Sequence, residues 1–349
     1  MIDVPLRRIC VVMMSAVGDA VHVLPLLNAL KRHNPGVHVT WVLQPGSAML
    51  VRGHRSVDEI LLFDRSRGWR AFAEIRRQLD GRAFDLVIDL QVYLKAGIVT
   101  WFTRATAKLG FDRARARDFN WLFTTDRIPP HPVQHVQDQY FEFLAALNVP
   151  HEPVVWDLGP WPAERARQRD FVAQFERPIA SIVVATSKAQ KDWLPERWAE
   201  VVDALDHDFG LQPVLVGGRS ERELSAEAVI THRTRHTPYS ALGSGLRNLV
   251  GILDASAVIL APDTGPLHMS VALDRPVISL MGYTNPKRTG PYRKFHDLIV
   301  DAYGEPGEAY PPSMENRLDR MSRIQVRDVL DRVERWYSCY RVATTGPKG

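Results

Sequence analysis

Two cysteines, Cys10 and Cys339, are all that the 349 residues contain. That is too few for a disulfide framework or a thiolate-ligated metal, and it suits a reducing, cytoplasmic setting. No apolar stretch approaches the roughly 18 residues that a bilayer-spanning helix needs, so the chain is expected to be soluble, or at most peripheral to a membrane. Arg7 and Arg8 followed by Ile9 to Val17 have the beginnings of a signal peptide, but the run is short and ends in Gly18-Asp19 ahead of an amphipathic helical pattern. The common nucleotide and metal motifs are missing as well. There is no Gly-x-x-x-x-Gly-Lys phosphate loop, no Gly-x-Gly-x-x-Gly after the first strand, no His-Glu-x-x-His and no Asp-x-Asp at a strand end. These absences argue against a P-loop hydrolase and a simple dinucleotide dehydrogenase, and no obligatory metal is expected. No fixed-period repeat is present, which excludes solenoids and propellers.

What remains is an ordinary globular composition, 45% hydrophobic and 24% charged, in a chain long enough for two domains. Disordered and collagen-like chains are excluded by the same figures. Lysine and arginine exceed aspartate and glutamate by 44 to 40, a mild excess that fits an anionic substrate or surface. Much of it lies in the first third, where Arg65, Arg67, Arg104, Arg113, Arg115 and Arg117 belong to a larger cluster. Such residues read either as solvated, salt-bridged surface or as an anion-facing patch. Aromatic interleaving is sparse and no nucleic-acid motif accompanies them, so DNA or RNA is not an expected partner.

Short apolar runs alternate with helical patterns. Ile9 to Met14, Val37 to Leu43 and Leu86 to Leu90 read as buried parallel strands, with a helix through Val23 to Leu30 and Arg-rich helical stretches between the later strands. Prolines cluster from Pro129 to Pro153 around one helix, Val136 to Leu147, and a linker is placed at about 149–165. The alternation then resumes with strands at Ser181 to Ala185, Pro213 to Val216, Ala257 to Ala261 and Val277 to Met281. An amphipathic helix follows from about Arg323 to Tyr340. The expected class is α/β, with two doubly wound domains, 1–155 and 156–322, a C-terminal helix and tail at 323–349, and the ligand in an inter-domain cleft.

Three stretches at strand-to-helix turns have the residue types for chemistry. Ala261-Pro262-Asp263-Thr264-Gly265-Pro266-Leu267-His268 ends a strand and opens a helix whose free N–H groups suit a phosphate. Asp-Thr-Gly also marks aspartic proteases, but those pair two such carboxylates on an all-β fold. Val17-Gly18-Asp19-Ala20 puts a carboxylate at the first turn, where it serves either as general base or as helix cap. Thr186-Ser187-Lys188-Ala189-Gln190-Lys191 offers hydroxyls and lysines after another strand, a set suited to a diphosphate. A structural cap is likewise open for Asp263 and Thr264.

Taken together and in order, these stretches resemble glycosyltransferase family 9, the ADP-heptose:lipopolysaccharide heptosyltransferases. The likeness is carried by Ser15-Ala16-Val17-Gly18-Asp19, Asp89-Leu90-Gln91 with Lys95, Lys191-Asp192-Trp193-Leu194-Pro195, Gly217-Gly218, Asp263 to His268, and Met281-Gly282-Tyr283-Thr284-Asn285-Pro286. The resemblance implies a GT-B fold of two Rossmann-like domains, with the acceptor on the first and the sugar nucleotide on the second. It further implies inverting, metal-independent transfer of heptose from an ADP-sugar to an anionic lipid-linked glycan, with peripheral contact at the inner membrane. By that likeness Asp19 would be the base and Lys191 would meet the departing diphosphate. Thr186, Ser187, Glu221, Ser244, Asp263, Thr264, Gly265 and His268 would line the donor, and Gly18, Gln91, Lys95 and Arg113 the acceptor. Val92-Tyr93-Leu94 and Ser244-Gly245 depart from the family pattern, the latter beside the expected adenine. Another sugar or acceptor, a non-catalytic relative, and an epimerase of the same shape are the alternatives.

Overall fold

The structure is a computed structural model describing residues 4–341, so residues 342–349 of the expected C-terminal tail lie outside the described part. The chain divides into two compact units, one formed by residues up to 132 with 136–157, the other by 133–135 with those from 158 onward. The first holds β1 (Arg8–Val12), α1 (Val17–His33), β2 (His38–Leu43), α2 (Pro45–Val51), β3 (Glu59–Leu62), α3 (Trp69–Leu79), β4 (Ala83–Asp89), α4 (Leu94–Phe102), β5 (Arg104–Gly110), β6 (Asp126–Arg127) and α5 (Val136–Ala146). The second holds α6 (Arg165–Val172), β7 (Ile179–Val183), α7 (Pro195–His207), β8 (Gln212–Val216), α8 (Glu221–Arg233), β9 (Tyr239–Ser240), α9 (Leu246–Ala255), β10 (Val258–Pro262), α10 (Gly265–Ala272), β11 (Val277–Met281), α11 (Pro286–Thr289), β12 (Ile299–Asp301) and α12 (Val326–Cys339).

Each unit is built on one six-stranded sheet. The order is β3-β2-β1-β4-β5-β6 in the first and β12-β11-β10-β7-β8-β9 in the second. All ladders are parallel. Counted from its own first strand, the second sheet repeats the 3-2-1-4-5-6 order of the first. Strand order therefore reverses between β1 and β4 in one unit and between β7 and β10 in the other, and the loops leaving those carboxyl ends are where doubly wound sheets bind ligands.

Burial explains why the central strands are near-continuous apolar runs. Ile9, Cys10, Val11 and Val12 are wholly buried because helices cover both faces of the sheet. Burial also pushes the Cys10 thiol up to about 12, which makes it an inert core residue. Helix α3 turns Ala71, Ile75 and Leu79 inward at helical spacing, leaving Arg70, Arg76 and Arg77 outside. Among the described residues, no helix is long and apolar enough to cross a membrane.

Two sequence expectations change here. The stretch between Leu43 and Leu86 is not only helical, since β3 lies within it, and β5 follows α4 as another strand the apolar pattern did not show. The late helix α12 is not a separate appendage. Its Val329, Val333 and Trp336 join the second unit's core, and the Trp336 indole N–H donates to the Ala257 carbonyl at 3.1 Å, just ahead of β10.

Candidate functional site

In the second unit, the loop after β7 and the loop after β10 meet at Asp263. Lys191 Nζ lies 2.6 Å from Asp263 Oδ2 and 3.3 Å from the Asp263 carbonyl. The Thr284 and Thr289 hydroxyls donate to the same Oδ2 at 2.5 and 3.3 Å, and His268 Nε2 stands 3.5 Å from Oδ1. Burial by itself would push this carboxyl up. The His268 hydrogen bond and the Lys191 charge more than offset that, holding it well below the usual carboxylate range. Asp263 is thus a permanent anion that orients Lys191. Thr264 stands in extended conformation at the start of α10 with no side-chain capping bond, and Pro266 occupies the first turn. The first-turn N–H groups of α10, opening at Gly265, are met by no capping side chain and suit an anion.

The Lys191 loop is braced from within. Thr186 N–H donates to Asp192 Oδ1 at 2.6 Å, the Thr186 hydroxyl donates to the Lys188 carbonyl at 2.7 Å, and Arg222 holds both Asp192 and the Thr186 carbonyl at 2.7 Å. Burial raises the Asp192 carboxyl above its ordinary value. Trp193 packs edge-on against Trp198 with ring centroids 4.7 Å apart and donates to the Ile324 carbonyl at 3.1 Å. Ser187 is exposed beside this loop. Glu221 is exposed at the first position of α8, whereas Glu223 closes the Gly217-Gly218 turn by accepting from the Ser220 N–H at 2.8 Å and from Gly218. That division of labour leaves Glu221 as the acidic group of the turn facing solvent. Ser244 sits apart from Asp263's partners, on the wall of a cavity of about 290 Å³ with Phe171, Tyr239 and Arg247.

In the first unit, two side chains hold the turn between β1 and α1. Gln91 Oε1 accepts from the Met14 N–H at 3.0 Å and its amide donates to the Ser15 carbonyl at 3.1 Å. Asp19 Oδ2 accepts from the Ala16 N–H at 2.7 Å, and the Tyr140 hydroxyl reaches Oδ1 at 3.4 Å. Asp19 therefore does cap α1, through a backbone bond to one oxygen, and is half-buried beside Gly18 at the switch between β1 and β4. Lys95 is exposed in the first turn of α4, and exposed Arg113 lies with its guanidinium 4.5 Å from the Trp121 ring centre. Arg115 leaves the surface cluster to which its sequence assigns it. It is half-buried, its side chain only 11% exposed, binding Asp112 and, at 2.7 Å, Glu142, so its charge is neutralised within the fold.

Sequence reasoning passed over several groups here. Thr284 lies in a turn that its pattern alone marks, Thr289 and Tyr140 carry no motif, and Asp89 carries the family likeness with no role attached. Asp89 is wholly buried at the end of β4, accepting from Thr100 at 3.0 Å, Asn120 at 3.0 Å and the Gln91 N–H at 3.1 Å, with no cation among these donors. Burial pushes its carboxyl up to about 7 although all three hydrogen bonds pull it down. The unfolded chain releases this proton near the ordinary value of 3.8 and the folded chain holds it to about 7. Stability from this group is thus full at low pH and declines as pH rises through that window, by about 4 kcal/mol in all. Urea unfolding of Asp89→Asn should show the parent losing ground to the variant from about pH 4 to pH 7, with no further change above. A difference that stays constant with pH would show that Asp89 is ionised without penalty.

Among the described residues, no group of three or more His, Cys, Asp and Glu side chains is placed to hold a metal ion. Two Rossmann-like units of identical strand order, each with its polar residues at the switch point, define the GT-B fold. Residues 72–310 match the model of glycosyltransferase family 9 (heptosyltransferase), and the chain belongs to that family. It is 28% identical over 339 residues to the lipopolysaccharide core heptosyltransferase OpsX of Haemophilus influenzae, covering 94% of this chain and 96% of that protein. The family 9 glycosyl transferase of Veillonella parvula superposes with a TM-score of 0.81 at 20% identity, over 96% of this chain and 98% of that one. Escherichia coli heptosyltransferase WaaC with ADP superposes with a TM-score of 0.72 at 24% identity, over 96% and 99%.

Proposed function

We propose that this glycosyltransferase moves heptose from ADP-heptose to the inner core of a lipopolysaccharide acceptor, with inversion and without a metal ion, at the cytoplasmic face of the inner membrane. The observation that carries the reading is the Lys191–Asp263 pair beside the uncapped start of α10, in a chain of this family. A leaving nucleoside diphosphate gains negative charge as its bond breaks, and a lysine with helix N-terminal amides supplies the compensation. Thr186, Ser187, Thr264, Gly265 and His268 complete the donor set in this reading, with Glu221 toward the ribose and Ser244 toward the base. Gly18, Gln91, Lys95 and Arg113 face the acceptor.

The reaction then needs one base. Asp19 takes the proton of an acceptor hydroxyl, whose oxygen attacks the anomeric carbon opposite the diphosphate. The carbon–oxygen bond to ADP breaks as the new glycosidic bond forms, and the configuration inverts. Lys191 and the α10 amides take up the charge on ADP.

Titration calorimetry with ADP and UDP tests the donor assignment, and ADP should bind about tenfold more tightly or better. Tighter UDP binding would move the donor away from ADP-heptose and give Ser244-Gly245 its meaning as a departure in base recognition. Turnover should be unchanged in excess chelator, and ADP release should require acceptor. Sugar conversion without acceptor would identify an epimerase instead.

A further inference from the structure

The outward face of α4 is apolar. A surface helix normally turns charged residues to water, as α3 does with its arginines. Helix α4 buries Ala96, Gly97, Val99 and Thr100, yet its opposite face carries Leu94, Ile98 and Trp101 at helical spacing, with Leu94 41% and Trp101 63% exposed. Beside it lies the short 3-10 turn Asn120–Phe123. Phe123 packs its ring onto Gly97, where any Cβ would collide with it, so turn and helix form one surface. That turn adds Phe119 and Leu122, 68% and 59% exposed.

This exposure is built into the fold. Asp118 and Phe119 have φ of +51° and +59°, a region that non-glycine residues seldom adopt. The neighbouring Asn120 is wholly buried and donates to Asp89 and to the Tyr93 carbonyl, while the Arg117 N–H donates to the Val92 carbonyl at 2.7 Å. Phe119 is held outward by a fixed loop. Around the apolar island stand basic groups, Lys95, Arg104, Arg113, Arg117 and Arg127, all exposed. Arg113 and Arg127 lie over Trp121 at 4.5 and 5.5 Å. Residues 91–130 contain seven Lys and Arg against three Asp, an excess equal to the formal net charge of +4 for the whole chain.

We propose that the α4 and 120–123 surface docks the enzyme on an anionic phospholipid bilayer. Trp101, Phe119 and Leu122 enter the headgroup region, and the surrounding Lys and Arg bind lipid phosphates. Charge selects a bilayer over a second copy of this chain, because a two-fold pairing would set the basic rim against itself. The proposal deepens the reading of a lipid-linked acceptor and rests on it for its purpose, but lipid binding is measurable without any transfer reaction.

Flotation of the full chain with vesicles tests it. Vesicles of phosphatidylcholine with one-third phosphatidylglycerol (about 30 mol %) should bind at least about tenfold more tightly than pure phosphatidylcholine, with the preference reduced at high salt. The triple variant Trp101→Ser/Phe119→Ser/Leu122→Ser should lose about tenfold in partition or more, while its ADP affinity, its unfolding temperature and its transfer to a lipid-free core glycan stay unchanged. Trp101→Phe should retain binding but lose the fluorescence quenched by brominated lipid, a readout that survives if the triple variant does not fold. A triple variant that floats like the parent, a parent indifferent to anionic lipid, or a change confined to self-association in sedimentation would overturn the assignment. Failure of the heptosyltransferase reading appears separately, as a parent that transfers to neither acceptor.

Discussion

Asp19→Asn should lower kcat by about a hundredfold or more, the size expected when a general base is removed. The asparagine side chain keeps an oxygen that can accept the Ala16 N–H, now bonded at 2.7 Å, so the start of α1 is preserved while the proton acceptor is lost. ADP affinity, which the proposed reading assigns to the second unit, should stay within twofold or so. Asp19→Ala is the informative contrast, since it loses the capping bond too and should add about 1 kcal/mol of destabilisation to the same loss of turnover. Steady-state kinetics and thermal unfolding of the two variants separate the roles. Turnover within a few-fold of the parent in Asp19→Asn would reduce Asp19 to a cap.

Lys191→Ala should raise the ADP dissociation constant and lower kcat, each by about tenfold or more, because its charge meets the diphosphate on binding and more strongly as the bond breaks. It should also destabilise the protein by about 3 to 5 kcal/mol, since it strands the buried Asp263 carboxylate without its cation. The stranded carboxyl shifts upward, so the deficit should grow as pH climbs through the carboxylate range. Lys191→Met combined with Asp263→Asn removes both charges. That double variant should recover most of the stability and none of the turnover. Recovery of both would mean that the pair serves the fold alone.

The central strands were legible because both their faces are buried. Burial makes β1, β7 and β11 near-continuous apolar runs bounded by turn residues, broken only by Arg8, Ser181 and Ser279, and the apolar pattern marks the bounds of Val277–Met281 to the residue. The flanking strands β3 and β5 are not legible, because Glu59–Leu62 is only four residues long and Arg104–Gly110 alternates polar and apolar residues, and both sit among arginines. The site followed the same division. Asp19, Lys191 and Asp263 stand at strand ends in patterned segments, so spacing and family likeness reached them. Thr284, Thr289 and Tyr140 arrive from distant parts of the chain, and only the fold brings their hydroxyls to the carboxylates. Arg115 shows the converse limit, since its sequence setting resembles that of Arg113 and Arg117, and its withdrawal from the surface is completed by the distant Glu142 beside Asp112.

The bond from Trp193 to the Ile324 carbonyl spans 131 residues, and it sets an order of events during synthesis. The segment carrying Lys191 emerges from the ribosome long before Ile324 and α12, and Arg197 also grips the turn ahead of that helix through the Ser322 carbonyl at 2.6 Å. Until they emerge, Trp193 and the inner face of the second sheet lack their cover, while every strand of the first unit is already made. The nascent protein therefore passes through an interval with the strands of its first unit complete and its Lys191 loop still unset, a stage at which exposed indoles invite chaperones or aggregation. Trimming the chain ahead of Ser322 should prolong that interval indefinitely, leaving the Lys191 loop unset from a place far removed in sequence.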